Sequence, residues 1–587
     1  RKMPKQVWKA LNNLSPSQIK LKDLPRKPGG LHNLKLDEYG NLVKRKGYSK
    51  YNTTSIGADH KIVGMHRFYK QNTSSKEFLV AWNTDIYKLA ETDPWGATSI
   101  KSGLTADSDT YFCDFLNHCY FVNGEDGVFK YNLTNVRTVG ITPPAAKPTG
   151  VAQGSGGSLG AGDYKFAYTY VDEDGYESNL SPVSDAVTCV ADDSVELTIV
   201  NSSDAKITKR YIYRTSVGGA IYYYDGVVND NTTTTYTSTI ADTALGSEAA
   251  TNHTAPQSTS HLIAKRRNKL YLAYNDYLYP SHTSDVEYFP ASWRIRTGNS
   301  QKIMGLLEQL TALPVATEDS IERLVGTDED NFEFKNSHST EGCVAMRSYV
   351  NCDNLIVYLG FNGINYFDGT TSGIFSKAVN EYIKTNINGT YRHLSCATYF
   401  DDKYMLCYPK GDSTVPSETI WIDLKNKSYG VYDFAFSCFS VWDRGTDGLQ
   451  LYGGSNTEGR VYKVLNGLED DGSAITAYDS IEPLDLGMPE RYKQWYDFYI
   501  KIKTTTGTAL RFYYTLDDNS ETYKDLTMTV NTTKWYRIRL GGGGQRARAI
   551  KPRPYISDKY DFTIMGYAIV FELEPPEYAS VSYTHLT

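Results

Sequence analysis

Short apolar runs with alternating polar positions recur along the chain, and a turn residue sets off most of them. The clearest copies are Asn83-Thr84-Asp85-Ile86-Tyr87-Lys88-Leu89, Gly127-Val128-Phe129-Lys130-Tyr131, Asn268-Lys269-Leu270-Tyr271-Leu272 and Ser320-Ile321-Glu322-Arg323-Leu324. Three more follow: Gly363-Ile364-Asn365-Tyr366-Phe367, Thr419-Ile420-Trp421-Ile422 and Gly459-Arg460-Val461-Tyr462-Lys463-Val464. A period of two puts alternate side chains on a buried face, the mark of a half-buried strand. Apart from one long gap, successive copies lie roughly 40–55 residues apart, the length of a four-stranded propeller blade. The pattern predicts an all-β chain whose centre is a β-propeller of about six to eight blades.

The long gap, between Phe129 and Tyr271, has its own pattern. Pro143-Pro144 through Pro148 reads as a linker. Gly162 to Val171 alternates cleanly, Asp172-Glu173-Asp174-Gly175 reads as a turn, and Lys209–Arg214 and Ala220–Tyr224 read as further strands. About a hundred residues of short strands is the size of a fibronectin-type sandwich. An inserted, self-contained fibronectin-III-like β-sandwich restores roughly one blade spacing across the gap. After residue 480 the strands lengthen, as in Tyr496–Ile502, Leu510–Thr515 and Ile564–Phe571, and predict a C-terminal β-sandwich. Helical periodicity is weak, and the best stretch is Ser376–Ile383.

The domain reading is therefore 1–145 for an N-terminal strand segment and the first blades, 146–254 for the inserted sandwich and 255–480 for the remaining blades. The C-terminal sandwich takes 481–579, and 580–587 reads as sequencing-adapter read-through. Composition agrees with strands. The 48 Tyr suit a pleated surface and the 47 Gly suit tight turns. A net charge of -7 gives no chain-wide basic field for nucleic acid or anionic lipid. The start lacks the apolar core of a secretory signal, and no apolar run reaches the ~20 residues that cross a bilayer.

Candidate chemistry is sparse. The eight Cys include no C-x-x-C pair and read as buried thiols acting as small hydrophobes. The ten His show neither H-E-x-x-H nor H-x-H spacing, so no metal site is expected. Acidic clusters at Asp172-Glu173-Asp174, Asp328-Glu329-Asp330, Asp401-Asp402, Asp470-Asp471 and Asp517-Asp518 raise a glycosidase reading, which needs paired carboxylates. Most adjoin Gly or Asn between strands and read instead as hairpin turns. No catalytic residues and no cofactor are expected. One local patch stands apart: Arg537, Arg539, Arg546, Arg548, Lys551 and Arg553 surround Gly541–Gly544. It reads as a solvated hairpin, with contact to an acidic neighbour or to DNA phosphates as the functional alternative.

Several segments together resemble a known family. They are Gly30–Leu34 with Asn41–Tyr48, Tyr279–Phe289 followed by Ile303–Leu306, Gly360–Gly369, Lys427–Asp433 and Gly453–Tyr462. In this order and spacing they are similar to β-propeller proteins of bacteriophage tails: the nozzle, hub or DNA-stabilisation proteins of short-tailed phages. The resemblance implies a non-enzymatic structural protein of the virion tail, made in the bacterial cytoplasm. It implies assembly as a homo-oligomeric ring beside other tail or portal-adaptor proteins, with non-specific contact to genomic DNA. Two other classes use the same parts. A secreted glycan-binding adhesin would need a signal peptide upstream of Arg1. A propeller glycoside hydrolase would need carboxylates converging on one face.

Overall fold

The computed structural model describes residues 6–11, 21, 24–90, 96–283, 285–328, 331–443, 448–505, 509–529 and 531–574. The segment 580–587 and the acidic residues Glu329 and Asp330 lie outside them. The regular structure of the described residues is mostly antiparallel strand, with one α-helix, Lys377–Asn386, capped by the Ser376 side chain. The fold is an all-β propeller architecture with an inserted sandwich and a C-terminal sandwich. The chain divides into two compact units. One holds 68–88 and 99–337; the other holds 1–67, 89–98 and 338–587.

The first unit contains three complete up-and-down sheets of four strands. They are Tyr111–Phe115 to Val136–Thr138, Leu262–Arg266 to Ile295–Arg296, and Gly305–Leu306 to Glu333–Asn336. Their first strands pack side by side in that order, so the second sheet follows the first directly although the inserted sandwich separates them in sequence. Alternate residues face a shared core that includes Tyr120, Val122, Val128, Ile263, Leu270, Leu272 and Phe289.

The inserted sandwich has a core of its own, built on Tyr164, Phe166, Tyr168, Val195, Leu197, Ile207 and Ile212. The run Gly162–Val171 is not one strand. Gly162–Tyr164 pairs with Val187–Cys189, and Phe166–Asp172 pairs with Ile207–Arg214 in a different sheet. The free edge of Phe166–Asp172 is covered by a segment with serine at every third position. Ser178, Ser181 and Ser184 donate their backbone N–H to Tyr170, Tyr168 and Phe166. Their hydroxyls accept the N–H groups of the same three residues. A repeat of three matches an extended left-handed segment and closes an edge that would otherwise pair with another chain. The two ends of the insertion meet at Gly140, where φ is +87° and a Cβ would fall 2.6 Å from Pro256 Cδ. Only glycine fits there.

In the second unit, Val350–Cys352 to Ser372–Ile374, Cys396–Phe400 to Tyr429–Tyr432, and Phe439–Asp443 to Val461–Val464 repeat the same meander. The last of these has three strands of its own. Its fourth is Tyr48–Lys50, from the other end of the chain, paired Val464 to Tyr48 and Tyr462 to Lys50.

The C-terminal sandwich is not confined to residues after 480. One of its sheets takes in Leu34–Leu36 and Leu42–Lys44 beside Phe562–Leu573, Lys493–Thr504 and Thr533–Arg539. The other begins with Ile475–Asp479 and runs through Leu31–His32 into the sheet that ends at Tyr429–Tyr432. Residues 31–44, read as part of the N-terminal segment, and Ile475–Asp479, read with the blades, thus pair into the sheets of the C-terminal sandwich. Residues 31–44 complete the C-terminal sandwich because its wide apolar faces need partners from elsewhere in the chain.

Arg45 locks this arrangement. Its guanidinium is fully buried and donates to Asn33 Oδ1 at 2.7 Å, Asp433 Oδ1 at 2.6 Å and both oxygens of Asp470 at 2.8 and 2.5 Å. It also lies 4.9 Å over the Phe434 ring. The planar fork grips both oxygens of Asp470 while its remaining N–H groups reach Asn33 and Asp433, a bidentate geometry that an ammonium's point charge does not reproduce. Removing one partner of a buried ion pair typically costs about 3–5 kcal/mol. Arg45→Ala is therefore expected to lower the thermal midpoint by roughly 5–10 °C. Hydrogen exchange at Tyr48–Lys50 should rise with it, and an unchanged midpoint would contradict the assignment.

Candidate functional site

The first unit carries an open groove of about 650 Å³. It is lined at the turns that join the first to the second strand of successive blade sheets. Tyr69 and Gln71 come from the end of Ile62–Lys70 and the turn after it. Asp114 to His118 surround the next turn, Lys265 and Arg267 the third, and Glu308 follows Gly305–Leu306. Such a position is dictated by topology: every blade sends its first turn to the same side.

The local geometry is tight. Leu116 and Asn117 form a two-residue turn with both residues at positive φ, +45° and +63°. Asn suits that region, but a side chain like Leu is disfavoured there by about 1–2 kcal/mol. Leu116 is 45% exposed, so burial does not compensate the strain. The backbone is held from both sides. Asp114 Oδ2 accepts from Tyr69 N at 3.2 Å, Asn117 Oδ1 accepts from Asn72 N at 3.0 Å, and Lys265 Nζ donates to Asp114 O at 3.0 Å. An exposed strained turn is a hypothesis of function, because strain persists where surrounding structure maintains it. The groove thus offers two carboxylates, two cations, amide side chains, and exposed faces of Tyr69 and Leu116. That mixture suits a neutral, hydroxyl-rich ligand better than a single-sign ionic one.

Behind the groove lies a buried ionic clamp. Lys130 Nζ is 3.2 Å from Asp172 Oδ2, 2.6 Å from Asp174 Oδ2 and 2.9 Å from Glu287 Oε1. The first two are hydrogen bonds. The third is a charge contact outside hydrogen-bond geometry. Asp172 and Asp174 belong to the inserted sandwich; Lys130 lies on the blade strand Val128–Tyr131 and Glu287 in the loop after the blade strand Tyr277–Pro280. Lys206 of the sandwich donates to the carbonyls of Thr138 and Gly140 at 2.6 Å each. Tyr288 accepts the Glu177 N–H and stacks on His253 at 3.8 Å. The turn reading of Asp172-Glu173-Asp174 is thus incomplete. Asp172 Oδ1 does cap its own hairpin, accepting from the N–H groups of Asp174 and Tyr176, while its other oxygen enters the clamp.

Burial pulls the Lys130 ammonium down, but Glu287, Asp172 and Asp174 outweigh it and hold it above its ordinary value. Four carboxylates (Asp172, Asp174, Asp285, Glu287) face two ammonium groups (Lys130, Lys206), so one acid keeps its proton most readily. That acid is Asp285. Burial, with the charges of Glu287 and Asp172, pushes it up to about 7.

The six basic residues near the glycine run do not form one face. Arg537 and Arg539 lie on Thr533–Arg539 and Arg546 on Gln545–Ala547, in one sheet. Lys551 and Arg553 lie on Ile550–Asp558, in the other, and Arg548 falls between. Arg537 is paired with Asp497 at 2.8 Å, Arg546 with Glu574 at 2.9 Å and Arg553 with Glu521 at 2.6 Å. Arg546 and Arg548 also stack on Tyr492 at 3.6 and 4.7 Å. A second cavity, about 340 Å³, lies beside the helix Lys377–Asn386 against Tyr366, Phe375 and Tyr429. None of the groove residues was singled out in the sequence as a site. The one legible signal was Leu-Asn as a two-residue turn between two apolar runs, a poor choice for a turn unless something else demands it.

No family model and no curated protein matches the chain. Solved structures share slight likeness. Apo AztD from Citrobacter koseri aligns over 64% of this chain and 98% of its own, at 11% identity and a TM-score of 0.28. The Pan2 WD40 domain of Neurospora crassa aligns over 72% and 97%, at 8% identity and a TM-score of 0.27. An exo-β-1,3-galactanase of Phanerochaete chrysosporium with galactose aligns over 78% and 95%, at 7% identity and a TM-score of 0.17. Likeness at this level carries no inference about ligand or activity.

The clamp makes stability depend on pH. Asp285 is an acid whose folded pKa lies above its unfolded value near 3.9, so its contribution is fully present below about pH 4 and is lost as pH rises through about 7. The wild type is expected to melt a few degrees lower at pH 8 than at pH 5.5. In Asp285→Asn, which cannot ionise, that difference should shrink; an identical difference in both proteins would refute the assignment.

Proposed function

We propose that the protein is a binding and assembly protein without chemistry of its own, and that the blade-turn groove takes a saccharide. One observation carries this reading: an open groove that combines exposed Tyr69 and Leu116 with Asp114, Asn117, Gln71, Lys265 and Glu308. Sugar rings present C–H faces that pack on aromatic and aliphatic side chains, and hydroxyls that both donate and accept. Carboxylates and amides in the groove supply acceptors; lysine and arginine supply donors.

A second reading concerns where such a protein is carried. The segments resembling phage-tail propellers support a place in a virion tail, as one subunit of a homo-oligomeric ring beside other tail proteins. Gly30–Leu34 and Asn41–Tyr48, the first of these segments, contain Leu31–His32 and Leu42–Lys44 and end at the strand that completes a blade sheet. No described helix is long and apolar enough to cross a membrane. The DNA contact of the Arg537–Arg553 region belongs to this reading.

The purified protein is expected to retain a subset of glycans on an array, with at least a tenfold loss of affinity in Tyr69→Ala and no release of reducing sugar from the bound glycans. Binding that survives Tyr69→Ala and Arg267→Ala together would remove the groove reading. Turnover of a bound glycan would make the protein an enzyme. Native mass spectrometry showing only monomer at high concentration would remove the ring.

A further inference from the structure

His118 belongs to the groove and to the clamp at once. Its Nδ1 lies 3.1 Å from the Leu116 carbonyl, which can only accept, so that nitrogen carries the proton. Its Nε2 lies 3.6 Å from Asp174 Oδ2, on the inserted sandwich. Asp174 is in turn bonded to Lys130 at 2.6 Å. A continuous chain of contacts therefore runs from the strained Leu116–Asn117 turn, through the imidazole, to a hairpin of a different domain.

We propose that Asp174 of the inserted sandwich is an acid-dependent positioning residue for the groove: it fixes the protonated His118 ring, and through that ring the Leu116–Asn117 turn. This rests on the saccharide reading for what the groove binds, but not for the positioning itself. Two facts support it. Leu116 at φ +45° is neither buried nor a residue suited to that conformation, and the His118 hydrogen bond to its carbonyl is the side-chain contact that holds the turn from within. The sandwich is also fixed to the blade strand of Lys130 at this hairpin, so Asp174 has little freedom to move away.

The contact is also sensitive to protonation. The charged groups that face the ring are Asp174 from the sandwich, and Lys130 and Lys70 from the blade strands. Asp172 and Glu287 stand beyond Lys130. Burial lowers the His118 pKa, and Asp174 offsets part of that fall. In the neutral ring, Nε2 turns a lone pair toward a carboxylate. Taking up a proton converts this contact into an ion pair, so acidification tightens the hold on the turn. Asp174→Asn removes the charge and keeps the shape.

The test uses the full chain labelled at histidine Cε1, with His118→Gln to assign the resonance. In Asp174→Asn the His118 pKa is expected to fall by at least half a unit, and the amide resonances of Leu116 and Asn117 to shift. Asp174→Glu should restore the wild-type titration. An unchanged His118 pKa and an unchanged turn would overturn the proposal. In the second arm, any glycan retained by the array is titrated from pH 5 to pH 8. The wild type should bind more tightly toward acid pH, and Asp174→Asn should lose at least fivefold affinity at pH 5 together with that dependence. A glycan whose affinity and pH profile ignore Asp174→Asn would also overturn the proposal. If the His118 titration moves as expected while no glycan binds the wild type, the positioning stands and the saccharide reading falls.

Discussion

The buried ammonium of Lys130 is the centre of the contacts that join the inserted sandwich to the blade sheets. Its three carboxylate partners come from two domains, and none of the four groups is tolerable alone in an apolar interior. Buried ion pairs add little net stability over well-packed apolar groups, but they are unforgiving of misplacement. Here that property fixes where the sandwich sits. Apolar contacts would allow it to slide; Lys130 between Asp172 and Glu287 does not. The second unit uses the same device at Arg45, which ties residues near the start of the chain to Asp433 and Asp470 far along it.

The same rigidity bears on the groove. Blade sheets deliver their first turns to one side, and the turns of the first unit enclose a groove with aromatic, aliphatic and charged walls. The clamp lies directly behind it and shares Asp174 with the groove through His118. A sandwich that merely decorated the surface would have no such connection.

Much of the fold was legible in the chain. The repeated apolar pattern corresponds to the third strand of its sheet at Asp85–Leu89, Val128–Tyr131, Ile321–Val325, Gly363–Phe367, Glu418–Asp423 and Val461–Val464. It slipped once, at Lys269–Tyr274, which is a second strand, because that strand is as apolar as a third and is followed by an equally short turn. Strands at the ends of the chain were harder to place. Leu31–His32 and Leu42–Lys44 are too short to show a period, and they pair with Val431, Tyr478 and Ile564, hundreds of positions away. The site was the least legible part. Asp172-Glu173-Asp174 looks like any acidic turn, and nothing local marks Lys130 or Glu287 as buried. A blade turn such as Leu116–Asn117 acquires meaning only when neighbouring blades stand beside it.

The central claim, that the blade-turn groove is the binding surface, is tested most directly by hydrogen–deuterium exchange of the intact protein with and without a retained glycan. The account predicts slowed exchange confined to the Tyr111–Val122 and Leu262–Tyr274 hairpins and the turn after Tyr69. Protection confined instead to the C-terminal sandwich strands, with these turns unaffected, would contradict it.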